Sequence, residues 1–168
     1  MLLNLAKIID VPGASVPFRT SLDLSDLTFG GCRPVTEPVV GEGTIRNTAG
    51  VLLLRGKVTT TIHGICDRCA APFDRAMEIP LEATLVTEFS NDDGEEDAWT
   101  FLLEGNCVDL DDVVNTAFVL NMDSKLLCRD DCKGLCFRCG KNLNSGPCDC
   151  KPEVDSRLAV LQQLLQKG

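Results

Sequence analysis

In the first half of the chain, apolar positions recur every second residue. From Val35 to Cys66 the run VTEPVVGEGTIRNTAGVLLLRGKVTTTIHGIC sets apolar and β-branched residues against polar ones, the pattern of strands with one buried face. Asn47 to Gly50 breaks the run with turn chemistry, which predicts two strands, the second covering Val51 to Ile65 and leading into CDRCAAPF. A third strand-like run spans Ala76 to Phe89, so CDRC falls at a strand-to-strand turn of an antiparallel sheet. The polar SNDDGEED that follows has too little apolar surface to order itself cheaply. After it, WTFLL predicts a short returning strand.

Beyond this point the period changes. In VDLDDVVNTAFVLNM, Leu110, Val113, Val114 and Ala117 fall at helical spacing, with Asp109 placed to cap the helix and acidic residues in its first turn. EVDSRLAVLQQLLQ predicts a second helix with Leu158, Leu161, Leu164 and Leu165 on one side. No internal repeat of 20 residues or more is visible. The pattern predicts an α+β fold: an antiparallel β-rich body, barrel-like or a sandwich, with one amphipathic helix over residues 1–124. A cysteine-rich, zinc-ribbon-like segment over 125–152 and a C-terminal helix over 153–168, packing on the body, complete it.

Composition agrees with a globular chain: 44% hydrophobic and 24% charged residues exclude wholesale disorder. MLLNLAKIIDVPG lacks the basic start, sustained apolar run and small-residue cleavage site of a signal peptide. No apolar stretch approaches the roughly 20 residues that span a bilayer. These features predict a cytoplasmic protein without membrane attachment, where thiols stay reduced and clustered cysteines serve metal or redox chemistry. The net charge of −9 is unevenly spread. Lys and Arg are absent from Ala76 to Ser124, which holds thirteen acidic residues, whereas eight basic and five acidic residues follow from Lys125 onward. An acidic body repels phosphate and suits a basic protein partner; the same charge also serves simply as a solvated surface.

The chemistry-bearing feature is sulfur. Six of the ten cysteines lie in LCRDDCKGLCFRCGKNLNSGPCDC, from Leu127 to Cys150. Cys136, Cys139, Cys148 and Cys150 form C-x2-C-x8-C-x-C, and tight turns bearing paired thiolates suit a tetrahedral zinc because each turn delivers two sulfurs locally. Gly134, Gly140, Gly146 and Pro147 allow the backbone to bend around such a site. Cys128 and Cys132, together with the distant Cys66 and Cys69, supply four more ligands for a second site that would pin the ribbon to the sheet; alternatively these four fill the core as buried thiols. Cys32 and Cys107 read as buried thiols, and His63, just before Cys66, as a ligand, a neighbour of one, or a structural strand residue.

The same cysteine spacing serves other chemistries. Cys132, Cys136 and Cys139 spell the C-x3-C-x2-C of radical S-adenosylmethionine enzymes, but too little chain follows Cys139 for the barrel that chemistry needs. Four thiolates also accept iron. Oxidation of the paired cysteines with loss of metal would make a thiol switch. There is no Walker loop, G-x-G-x-x-G or H-E-x-x-H, and there is one histidine for general base work. A zinc held by four thiolates leaves no open position for substrate, so catalysis is the weaker reading.

CDRCAAPF at Cys66 to Phe73, the helix after VDL, CKGLCFRCGKNLNSGPCDC at Cys132 to Cys150 and the closing DSRLAVLQQLL together resemble the bacterial and chloroplast YceD family of large ribosomal RNA subunit accumulation proteins. Phe137 and Ser156 stand where that family often has proline, and Leu120 and Asn121 where it has Leu-Pro. The resemblance implies a small β-rich body and a role in accumulating or processing large-subunit ribosomal RNA, with no catalytic residues to carry over. The resulting expectation is a non-catalytic factor that binds ribosomal protein or ribosomal RNA of the large subunit. Lys133, Arg138, Lys141 and Lys151 around the ribbon are the candidate RNA contacts, unless they merely surround the dianionic zinc centre as solubilising charge. The alternative is a metal-dependent redox or thiol-switch protein.

Overall fold

The computed structural model describes residues 1–87 and 99–150. Seven strands and one helix are present among them: β1 (Leu2–Asn4), β2 (Ser15–Leu22), β3 (Val39–Thr48), β4 (Val51–Ile65), β5 (Pro72–Val86), β6 (Trp99–Leu102), β7 (Cys107–Asp109) and α1 (Leu110–Asn121). Five strands make one sheet in the order β2-β3-β4-β5-β6, and β1 pairs with β7 in a separate two-stranded sheet. The β3–β4 hairpin closes at the expected Asn47 to Gly50 turn. Asn47 serves it twice over: its Oδ1 accepts from Gly50 N–H (2.9 Å), while its buried Nδ2 donates to the carbonyls of Ile8 (2.8 Å) and Ile9 (2.7 Å). One amide thus satisfies the turn and ties the N-terminal segment to the sheet.

Several expectations need correction. The sheet is neither a closed barrel nor a uniform antiparallel sandwich: β2 and β6 end the strand order, and β6 runs parallel to β5, with Ala83 opposite Trp99 and Val86 opposite Leu102. WTFLL therefore does not return as a hairpin partner; a parallel neighbour requires a crossover, and local periodicity carries no information about that direction. The third strand begins earlier, at Pro72, and ends at Val86. β2 was not marked by the pattern because Pro17 interrupts it, and Pro17 is tolerated since β2 is an outer strand. The predicted C-terminal helix over 153–168 lies outside the described residues.

The core lies between the inner face of the large sheet and α1. The helix begins as read from the sequence, with the Asp109 side chain accepting from Asp111 N–H, and it buries Leu110, Val113, Val114, Ala117 and Phe118. It approaches the sheet closely because Gly41 has no side chain: a Cβ there would fall on Val114 Cγ2. Gly43 and Gly56 face each other across β3 and β4, and a Cβ on either would strike the backbone of the other strand. On the outer face, cross-strand pairs neutralise charge: Lys57 with Glu78 (3.0 Å), Arg55 with Glu82 (3.5 Å) and Arg19 with Glu42 (4.0 Å). Exposed pairs of this kind contribute little to stability, but they reduce the acidity of this face.

Candidate metal centres

The turn between β4 and β5 carries Cys66 and Cys69. Its shape follows from two backbone bonds, Ala70 N–H to the Cys66 carbonyl (2.8 Å) and Cys66 N–H to the Ala71 carbonyl (2.9 Å), with Ala70 in the left-handed region at φ 53. The turn at Cys136 repeats it: Gly140 N–H bonds to the Cys136 carbonyl (2.9 Å), Cys136 N–H bonds to the Lys141 carbonyl (2.9 Å), and Gly140 has φ 70. CDRCAA and CFRCGK are thus two copies of one turn, a repeat too short to register as periodicity; the shared Cys-x-Arg-Cys was the available signal. Ala pays for φ > 0 where Gly does not. Ala70→Gly is therefore expected to stabilise the metal-loaded protein by about 0.5–1 kcal/mol after allowing for the greater freedom of Gly in the unfolded chain, read as a raised denaturant midpoint.

The structure brings the eight candidate ligands into two tetrads, Cys66, Cys69, Cys128 and Cys132, and Cys136, Cys139, Cys148 and Cys150, with all sulfurs in each within 4.8 Å of one another. In the first, Cys66 to Cys132 and Cys69 to Cys128 are each 3.8 Å apart, far beyond the roughly 2.05 Å of a disulfide. Four sulfurs at about 2.3 Å from a tetrahedral ion would stand about 3.8 Å from one another, so the donor set fits a metal of that geometry. Cys66, Cys69 and Cys132 are buried in a small cluster with Ala71, Phe73, Leu127 and Cys128 around it, while Cys139 of the second tetrad is exposed.

The first tetrad joins the β4–β5 turn to the segment after α1, and hydrogen bonds hold the two in register. Asp67 N–H donates to the Leu126 carbonyl (2.8 Å) and Leu126 N–H donates to Asp67 Oδ2 (2.7 Å). Arg68 Nη1 donates to the carbonyls of Asp130 (3.3 Å) and Cys132 (3.1 Å), and the Arg68 carbonyl accepts from Leu135 N–H (3.0 Å). Gly134 makes the last contact possible, since at φ 74 a side chain would press on the Arg68 carbonyl. Asn144, from the loop between the two halves of the second tetrad, donates to Cys132 Sγ of the first (3.3 Å) and accepts from Lys133 N–H (2.8 Å). The tetrads are therefore linked mechanically. Asp67, Arg68 and Asn144 were missed from sequence because ordinary polar residues beside cysteines give no sign of their partners.

The thiols are tuned in pairs. Burial pushes the Cys66 thiol up, but N–H groups of Cys128, Cys69 and Arg68 overcome it and bring it to about 6. N–H groups of Cys139 and Arg138, with help from the Cys148 and Cys139 thiols against burial, hold Cys136 at about 6. The Asn144 amide lowers Cys132. Cys128 is pushed up to about 12 by burial and by the neighbouring Cys66, Cys132 and Cys69. Cys150 reaches about 12 through Cys139, burial and Cys136. Four adjacent thiols cannot all ionise without a cation among them, and a bound cation removes that conflict.

The remaining predicted residues sort simply. His63 belongs to neither tetrad; its Nδ1 faces Asp74 Oδ1 (2.7 Å) across the β4–β5 pair. Cys32 and Cys107 are half-buried rather than buried, and Cys32 Sγ donates to the Phe29 carbonyl (3.0 Å). Among the candidate RNA contacts, Lys141 Nζ donates to the Pro147 carbonyl (2.7 Å), Lys133 and Arg138 are exposed, and Lys151 lies outside the described residues. Among the described residues no helix is long and apolar enough to cross a membrane.

A family model described as "Large ribosomal RNA subunit accumulation protein YceD" matches residues 54–165. An uncharacterized protein of Mycobacterium tuberculosis is 29% identical over 176 residues, covering 98% of this chain and 81% of its own length. The chloroplastic large ribosomal RNA subunit accumulation protein YCED homolog 1 of Zea mays is 30% identical over 161 residues, 79% of this chain and 55% of its own. Its namesake from Arabidopsis thaliana is 29% identical over 144 residues, covering 69% and 45%. No solved structure matches the chain with significance.

Proposed function

The chain belongs to the YceD family of large ribosomal RNA subunit accumulation proteins, and from that premise we propose that it is a non-catalytic factor in large-subunit biogenesis, working in the cytoplasm by binding. The observation that carries this reading is the pair of complete cysteine tetrads. Each offers four sulfurs, enough to close the shell of a tetrahedral ion and leave no position for substrate. Zinc is the ion we assign, held by Cys66, Cys69, Cys128 and Cys132 and by Cys136, Cys139, Cys148 and Cys150. When bound it supplies folding energy rather than reactivity. Residues 1–124 then form the body, and 125–152 a metal-stiffened platform carried by it.

The net charge of −9 suits a basic protein of the large subunit, while Lys133, Arg138, Lys141 and Lys151 are the side chains proposed to face ribosomal RNA. The test is replacement of the cell's own protein by variants. Cys136→Ser is expected to lower the ratio of large- to small-subunit ribosomal RNA, and an unchanged ratio would count against the reading. For the RNA contacts, Ala at each basic position that touches phosphate should reduce the salt slope of binding to large-subunit RNA by about 0.7–0.9. We expect that for Lys133 and Arg138 and a smaller change for Lys141, whose Nζ already holds the Pro147 carbonyl; a slope unmoved by all of them removes them from the interface.

The exposure of Cys139 favours one second reading, a thiol switch in which peroxide oxidises the outer tetrad and expels its ion. A colourless protein that keeps both ions through mild peroxide eliminates it.

A further inference from the structure

The two Cys-x-Arg-Cys turns have one backbone but different apexes. At the first, the Asp67 carboxylate accepts a hydrogen bond from Leu126 N–H, so that apex holds a peptide strand of the chain itself. At the second, Phe137, whose ring offers no such acceptor, stands in the place of Asp67. It is 85% exposed, the most exposed large apolar side chain among the described residues. Its surroundings are cationic: from Lys133 to Pro147 the ribbon carries Lys133, Arg138 and Lys141 and no acidic residue, although the chain as a whole is acidic. Lys133 and Arg138 are exposed. The dianionic charge of a filled tetrad lies instead on sulfur, where the N–H groups of Cys139 and Arg138 point at Cys136. The same ribbon has a groove of about 510 Å³ lined by Lys133, Leu143, Asn144, Gly146 and Pro147. The Asn144 side chain is already engaged with Cys132, Asn142 and Lys133, so the groove's side chains offer a ligand apolar contact from Leu143 and Pro147 and a cation from Lys133. Lys141 joins the groove to the apex: its carbonyl receives Cys136 N–H (2.9 Å), and its Nζ reaches the Pro147 carbonyl (2.7 Å).

We propose that the second turn is a stacking platform for an unpaired stretch of RNA, with a base against the Phe137 ring, phosphates on Lys133 and Arg138, and the strand continuing toward the groove beside Lys141. An aromatic face among cations is the arrangement that binds single strands: every base has a π-face to stack, and the charges track the backbone. A double helix cannot use such a ring, because its bases already stack on one another, whereas loops and bulges can. Metal ligands on both sides of Phe137 hold the ring in place before binding, which lowers the ordering cost. The platform rests on the reading that the ribbon faces ribosomal RNA, and it narrows that RNA to unpaired nucleotides.

The test uses the full, zinc-loaded chain and large-subunit ribosomal RNA freed of protein. Phe137→Ala is expected to weaken binding about tenfold at every salt concentration, with the salt slope and the metal content unchanged, because stacking releases no counterions. Phe137→Trp should keep the affinity, and Phe137→Leu, apolar but without a ring, should lose it. Chemical probing of the bound RNA should show a protected loop or bulge in which Phe137→Ala exposes a base. Unchanged affinity in Phe137→Ala, full affinity in Phe137→Leu, or no protected unpaired base overturns the proposal. So does a lowered urea midpoint in Phe137→Ala with RNA affinity intact, which would give the ring to the chain's own residues 151–168, or a loss confined to binding of the subunit's proteins. If Phe137→Ala is silent while Lys133→Ala and Arg138→Ala still lower the salt slope, only the platform falls and the RNA contacts stand. If the wild-type chain binds no RNA, both fall, and the ribosomal RNA ratio in cells decides the biogenesis role separately.

Discussion

Removing metal from the purified chain is expected to release the cysteine-rich segment from the body while the sheet survives. The native protein should hold two ions per chain, and Cys132→Ser should abolish the first site and weaken the second through the lost Asn144 contact. A structural zinc contributes on the order of 10 kcal/mol, so chelation should strip amide protection from residues after Leu126. The strands and α1 have a core of their own, built from residues such as Ile45, Leu54, Leu81 and Phe118, which needs no sulfur. Far-ultraviolet dichroism should therefore persist. Acid should act as the chelator does. In the metal-free chain Cys66 and Cys136 sit at about 6, below the ordinary 9.0, so the stabilisation their thiolates provide is full above 9.0, declines as pH falls from there, and is lost below about 6. A bound cation holds these thiolates deprotonated to lower pH still, so metal release monitored by a chromogenic chelator should rise steeply only below that value. A metal-free chain with the same protected segment would remove the basis for both tetrads.

The second large effect is expected at Gly43 and Gly56. Gly43→Ala and Gly56→Ala each place a methyl group against the neighbouring strand's backbone, which cannot rotate away. The β3–β4 pair must separate at the centre of the sheet, with an expected loss of about 3 kcal/mol or more. Gly41→Ala meets the Val114 side chain instead, which can shift with the helix, so a smaller loss of about 1–3 kcal/mol is expected. Urea midpoints of the three variants provide the comparison. Equal, small effects would mean that the strands do not approach as closely as described.

Much of this architecture was legible from the sequence where local physics decides it. Alternation located β3 and β4, turn chemistry located Asn47 to Gly50, and Asp109 announced the start of α1. What escaped depends on contacts distant along the chain. The direction of β6 is set by its neighbour β5, and β1 and β7 are three-residue strands, too short to show a period. The second tetrad was readable because its four ligands are local. The first was available only as arithmetic, since nothing in Cys66 and Cys69 indicates that Cys128 and Cys132 will meet them. The clamps that make the meeting possible, Asp67 and Arg68, look like surface charges in a linear reading.

The first tetrad draws ligands from positions 59 and 66 residues apart. A ribosome delivers the Cys66 and Cys69 half long before the Cys128 and Cys132 half emerges from its exit tunnel. During that interval the nascent chain carries an unfinished chelating hairpin, open to any passing soft cation. Cys128 and Cys132 thus act as a late latch, and translation order sets when the body and its platform become one piece.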